Sequence, residues 1–172
     1  MKFYSGFSLS NDQQLFTHLL KESEYTVAGF SYGAIKAFEE VLYSSKRVDT
    51  LQLFSPAFFQ DKDEKFKRMQ MMYINKDKQA YLGNFLSSCF KPCKIDKDVV
   101  LQEGETKDLD TLLHYEWTRE ALKKVCDKGV DIEVYLGSED KIIDVAKAKE
   151  FFLPYATTFL LNEAGHSLQT KN

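Results

Sequence analysis

Tyr25-Thr26-Val27-Ala28-Gly29-Phe30-Ser31-Tyr32-Gly33-Ala34-Ile35-Lys36-Ala37-Phe38-Glu39-Glu40-Val41-Leu42 decides how this chain is read. A β-branched and aromatic run, Tyr25 to Ala28, meets Gly-Phe-Ser-Tyr-Gly, and an amphipathic helical pattern begins at Ala34. A strand that turns sharply into a helix around a central serine is a nucleophile elbow, which projects Ser31 from a strained backbone position. Gly29 and Gly33 supply the missing side chains that such a turn requires. The alternative is a glycine-lined turn in which the serine merely caps the helix.

Strands and helices alternate outward from the elbow. Lys2 to Tyr4 reads as a strand ending at Ser5-Gly6, and Asn11 or Asp12 is placed to cap a helix over Gln13 to Lys21. Val48 to Phe54 is a strand stopped by Ser55-Pro56; Ile132 to Leu136 is stopped by Gly137; Thr157 to Leu161 is the last strand. A helix containing Val145, Ala148 and Phe151 lies between the last two. This alternation predicts an α/β fold, mainly parallel in its sheet and flanked by helices. Between about Ala57 and Gly129 no convincing strand appears, and Phe66, Met69 and Tyr73, then Leu82, Phe85, Leu86 and Phe90, recur at helical spacing. That interval exceeds what one crossover helix needs and is expected to form a helical lid over the carboxyl edge of the sheet, within a single domain spanning 1–172.

Composition narrows the function. A chain of 172 residues with 44% hydrophobic residues can bury a core without disulfides. A net charge of −3 argues against nucleic-acid binding, which rests on excess Lys and Arg. The sequence has no long apolar leader or membrane span, so a cytoplasmic location is expected. Cys89, Cys93 and Cys126 are odd in number and lack a second Cys pair or a nearby His at zinc-ligand spacing, so reduced thiols and no metal are expected. The lid's charge is uneven: residues 57–97 hold nine Lys/Arg against five acids, whereas 98–110 hold five acids against Lys107 alone. The basic half could steer an anionic partner, although a solvated helix face would look the same.

A serine hydroxyl needs a base to take its proton and a group to orient that base. His166 follows the last strand and so reaches the carboxyl edge near Ser31, whereas His18 lies in a helical stretch and His114 in the lid. Asp140 follows the strand at 132–136 and is the expected orienting acid; Glu139 and Asp144 are rivals that could be solvated or cap the next helix. The amides of Tyr32, next after the nucleophile, and of Phe7, in the Ser5-Gly6-Phe7 loop, are the expected oxyanion donors.

The order Ser31, Asp140, His166, with the last two each after a late strand, resembles the α/β-hydrolase family over nearly all of the chain outside the lid. Ser5-Gly6 stands where that family usually has His-Gly. The chain opens at what would be the family's third strand, and the fourth is expected to be missing, which makes a trimmed version of the fold. Within the family, Phe3-Tyr4-Ser5-Gly6-Phe7-Ser8-Leu9 and the Gly-Phe-Ser-Tyr-Gly elbow are similar to short pimeloyl-[acyl-carrier protein] methyl ester esterases of biotin synthesis. That resemblance implies hydrolysis of a carrier-bound methyl ester, no metal or organic cofactor, and acyl-carrier protein as partner. A linear acyl chain would suit a channel lined by lid residues such as Phe58, Phe59, Met69, Met72 and Phe85, although aromatics and methionines at helical spacing are more often core, and the carrier would dock at Lys65, Arg68 and Lys76. A general carboxylesterase or acyl thioesterase, or a non-catalytic binding protein on the same fold, would share most of these features.

Overall fold

The computed structural model describes residues 1–96 and 98–170; Lys97, counted above in the basic run, lies outside them. In chain order the strands are β1 (Lys2–Tyr4), β2 (Leu9–Ser10), β3 (Thr26–Phe30), β4 (Thr50–Phe54), β5 (Val100–Leu101), β6 (Asp131–Gly137) and β7 (Thr157–Leu161). The helices are α1 (Tyr32–Tyr43), α2 (Glu64–Lys76), α3 (Lys78–Phe90), α4 (Thr106–His114), α5 (Arg119–Asp127) and α6 (Val145–Phe152). Five strands form one parallel sheet in the order β1-β3-β4-β6-β7. Because every strand runs the same way, the loops after β1, β3, β6 and β7 all leave from one edge. The segment between β1 and β3 adds no strand to this sheet, as the trimmed reading expects.

Period-two alternation sorts the strand side chains into two apolar layers. Val27, Leu51, Leu53, Ile132, Val134 and Leu136 face one layer, which α1, α5 and α6 close with Phe38, Leu122 and Phe152. Ala28, Phe30, Phe54 and Tyr135 face the other, covered by Phe16 and the end of α3. Aromatic rings cross this second face at close to the spacing of neighbouring strands. Phe16 lies 5.0 Å from Phe30 and 4.6 Å from Phe54, Phe54 lies 4.9 Å from Tyr135, and Tyr135 stacks on Phe159 at 4.7 Å. Each fully buried Phe in this row, Phe16, Phe30 and Phe54, contributes roughly 1.5–3 kcal/mol of apolar transfer energy. Polar groups on this face are paired: Gln52 Nε2 donates to Leu19 O at 3.0 Å and to Glu133 Oε2 at 3.0 Å, and Tyr135 donates to Glu133 at 2.9 Å.

Three sequence expectations are corrected. The helix over Gln13 to Lys21 is instead a five-residue 3₁₀ helix, Asp12–Phe16, followed by turns in which the Leu19 and Leu20 amides both donate to Phe16 O. Asn11, in the left-handed region at φ 60°, makes no side-chain cap bond, so the helix lacks the start signal that its sequence advertised. The lid is not free of strand, since β5 pairs antiparallel with β2; two exposed residues beside a charged run carry no readable alternation. Finally α5, expected within the lid, buries Leu122 and Val125 in the sheet layer beside α1, so it serves as the crossover from β4 to β6. The excursion from the sheet therefore ends before Arg119.

Candidate active site

The elbow takes shape where β3 runs into α1. Ser31 has φ 53° and ψ −112°, a region that non-glycine residues occupy only when their surroundings impose it. Its N–H donates to Phe54 O at 2.9 Å, and its C=O accepts from Ala34 and Ala57 at 3.1 and 3.2 Å. A Cβ on Gly29 would lie 2.2 Å from Gly33 O, across the turn as expected. Gly33 serves a further contact: a Cβ there would lie 2.0 Å from Tyr4 O, so its absence lets α1 approach the end of β1. The loop after β1 is thereby brought beside the nucleophile.

The expected residues converge at this edge. His166 Nε2 lies 3.0 Å from Ser31 Oγ, and its Nδ1 lies 2.6 Å from Asp140 Oδ2. Asp140 Oδ1 accepts the amides of Ile142 at 2.7 Å and Ile143 at 3.2 Å, which leaves Oδ2 for the Nδ1–H of His166. Nε2 is then free to accept the serine proton. The two loops are sewn together: Glu139 N–H donates to Ala164 O at 2.8 Å, and Glu163 N–H donates to Ser138 Oγ at 2.9 Å. From the lid side, Ser167 N–H donates to Cys89 O at 2.9 Å, so the end of α3 also holds the histidine loop. The Cys89 thiol is pushed well up by burial and by the Asp140 charge, which keeps it protonated and out of nucleophilic chemistry.

The rival acids lie elsewhere. Asp144 accepts Lys147 N–H at 3.1 Å and caps α6, and Glu139 is exposed. His114 sits at the end of α4 with Glu64 and Asp110, and His18 is exposed. Phe7 lies in a turn beside the elbow, and its amide has no backbone partner among the described residues. Tyr32 begins α1, where amides have no intrahelical acceptor. Its hydroxyl donates to Asp108 of α4 at 3.2 Å and is pushed up to about 12 by burial and then by Asp108. Residues 100–108 thus run beside the Phe7 loop, with β5 paired to β2 and Gln102 N–H donating to Ser8 O at 2.8 Å, an arrangement that their acidic composition did not signal.

The expected substrate residues divide. Phe85 packs edge-on against Phe7 at 6.0 Å and lines a groove of about 580 Å³ between α2 and α3, together with Tyr73, Tyr81 and Ile142. Phe58 and Phe59 are instead core, Phe58 tilted against Phe151 and Phe59 stacked on Phe66. Met69 and Met72 point outward, Met72 with 65% of its surface exposed. Lys65, Arg68 and Lys76 lie exposed on α2, Lys76 at the mouth of the groove. Ser31 is only 3% exposed and His166 is fully buried.

A solvent-shielded serine, imidazole and carboxyl in hydrogen-bonded sequence, with two amides beside the serine, is equipped for acyl transfer. Compared by sequence, the chain matches no family model and no curated protein. Solved structures match by shape. An esterase from Exiguobacterium antarcticum superposes with a TM-score of 0.63 at 20% identity, over 82% of this chain and 59% of that one. The chain has an α/β-hydrolase fold. Bromoperoxidase from Bacillus anthracis gives 0.64 at 17% identity, over 91% of this chain and 65% of that one. A carboxylesterase from the thaumarchaeon Nitrososphaera gargenis gives 0.58 at 17%, over 90% and 61%. The chain therefore spans about three fifths of the length of these α/β-hydrolase structures. Their names cover different chemistries, so the likeness establishes architecture, and activity must be argued from the site. Among the described residues no helix is long and apolar enough to cross a membrane.

Proposed function

We propose that the chain is a serine carboxylic-ester hydrolase. The observation that carries this reading is the unbroken path Ser31 Oγ, His166 Nε2, His166 Nδ1, Asp140 Oδ2. Ser31 Oγ attacks the ester carbonyl as its proton passes to Nε2, and the amides of Phe7 and Tyr32 hold the oxyanion. The C–O bond to the alcohol breaks, and the departing oxygen takes the proton from His166. Water, deprotonated by the same nitrogen, then cleaves the acyl-enzyme, and Ser31 recovers its proton. Asp140 holds the imidazole in its working tautomer throughout.

The finer proposal is hydrolysis of the methyl ester of pimeloyl-[acyl-carrier protein], releasing methanol. Its support is the resemblance carried by residues 3–9 and 29–33, together with the exposed face of α2. There Lys65, Arg68, Met72 and Lys76 recur at three- and four-residue spacing, a basic and apolar stripe suited to an acidic carrier. The deciding experiment offers methyl pimeloyl-carrier and a short neutral ester to the purified protein and follows loss of each ester by mass spectrometry. Turnover of the carrier substrate supports the finer proposal. Turnover of the small ester alone makes the chain a general carboxylesterase, and no turnover of either, with no labelling of Ser31 by a fluorophosphonate, makes it a binding protein.

A further inference from the structure

Asp12 is a buried carboxylate that the triad does not use. It is 0% exposed and caps no helix end. Oδ2 accepts the N–H of Gly6 at 2.8 Å, and Oδ1 has no hydrogen-bond partner among the described residues. Burying a carboxylate is costly, and packed apolar atoms would serve stability alone as well or better. The group it holds therefore becomes the question.

Gly6 opens a four-residue turn that Leu9 N–H closes on Gly6 O at 3.2 Å, with Ser8, its third residue, at φ 55°. A positive φ at that position is the pattern of a type II turn, and a serine there is strained. The Gly6 carbonyl and the Phe7 N–H belong to one planar trans peptide and point in opposite directions. With the carbonyl held by Leu9, the Phe7 amide faces away from the turn and is left free. The preceding amide, Gly6 N–H, is the one that Asp12 holds. The lid fixes the far end of the same turn, where Gln102 N–H donates to Ser8 O at 2.8 Å. One strained turn is thus clamped at both ends.

We infer that Asp12 is a positioning residue for catalysis, holding the Gly6–Leu9 turn so that the Phe7 amide is aimed in advance at the oxyanion. This inference rests on the hydrolase reading. It assigns to Asp12 an effect on the transition state rather than on substrate binding, because a misaimed donor is missed chiefly when negative charge develops on oxygen. A misplacement of this kind lowers rate by about 10- to 100-fold.

The test compares wild type, Asp12→Ala, Asp12→Ser and Asp12→Asn on p-nitrophenyl butyrate, with the endpoint stoichiometry of fluorophosphonate labelling at Ser31 as a count of intact sites. Asp12→Ala and Asp12→Ser are expected to lower kcat by about 10- to 100-fold with KM and labelling stoichiometry unchanged. Asp12→Asn, whose amide oxygen can accept the Gly6 N–H, is expected to recover most of the rate. Amide exchange at Gly6 in the wild type is expected to be slow; this measurement stands even if the truncated variants do not fold. Wild-type kcat in Asp12→Ala, a fall in rate matched by a fall in stoichiometry, or fast exchange at Gly6 would each overturn the inference while leaving the hydrolase reading intact. A wild type that neither turns over ester nor is labelled at Ser31 would overturn both.

Discussion

The elbow edge and the α2–α3 hairpin are built on opposite plans. At the elbow the side chains of Ser31, Asp140 and His166 are enclosed, and the loops that carry them are bonded to one another and to the sheet. On α2, Lys65, Arg68, Met72 and Lys76 stand in solvent; among them Arg68 Nε donates to Glu64 O of its own helix at 3.3 Å. Chemistry needs groups held to within a fraction of an ångström, which only redundant packing and hydrogen bonding provide. Recognition of a large partner needs side chains that are accessible and free to adapt. The difference predicts that substitutions at the first region act on rate and those at the second on encounter.

The largest expected effect is at the nucleophile and base. Ser31→Ala and His166→Ala should each lower kcat by about 10⁶-fold, because the two act as a unit. Thermal unfolding of Ser31→Ala should barely move, and intact-mass analysis should show that this variant no longer takes up a fluorophosphonate. Undiminished labelling of Ser31→Ala would place the reactive group elsewhere.

Next in size is the choice of carboxylate. Asp140→Asn should cost about 10⁴-fold in kcat by spoiling the imidazole tautomer. Asp144→Asn should leave turnover near wild type, since Asp144 caps α6. Its carboxyl is held below the usual range chiefly by the Lys147 amide, so the stabilisation it lends is present above its unfolded pKa and fades as pH falls through the lower folded value. The opposite ranking of these two variants in steady-state assays would break the contrast at its centre.

Stability should divide along the same line. Phe54→Ala, beneath the elbow in the ring row, should cost about 3–5 kcal/mol in urea unfolding, whereas Met72→Ala on α2 should stay within about 0.5 kcal/mol. A comparable loss for Met72→Ala would mean that the face of α2 is covered in solution.

The smallest effect sharpens the partner proposal. Charge reversal at Lys65, Arg68 or Lys76 should lower kcat/KM for a carrier-bound ester several-fold while leaving a small neutral ester unchanged. Salt should act in the same selective way, because screening sets in over about 8 Å at physiological ionic strength. If the two substrates respond together, the stripe is solvated surface and the general esterase is the better reading.

Much of this was legible in the residues alone. Ser31 could be assigned as nucleophile from Gly29 to Gly33 because an elbow is a local event: strand pattern, glycine spacing and helix pattern all fall within one short stretch. The five sheet strands could be placed because short β-branched and aromatic runs, four of them stopped at or beside glycine or proline, need no distant partner to be recognised. His166 followed from topology, since parallel strands deliver their trailing loops to one edge. Tertiary structure decided what depends on distant company. Asp140 and Asp144 both follow β6, and only the meeting of two loops separates an imidazole partner from a helix cap. Asn11 and Asp12 both stand where the sequence reads as a helix start, yet the Asp12 carboxylate is taken by Gly6, across a strained turn that no propensity signals. β5 exists only because β2 lies opposite it, and α5 left the lid because Leu122 and Val125 found the sheet. Phe58 and Phe59 are chemically as fit for a substrate channel as Phe85; where each ring comes to rest is settled by packing, which holds no trace in local sequence.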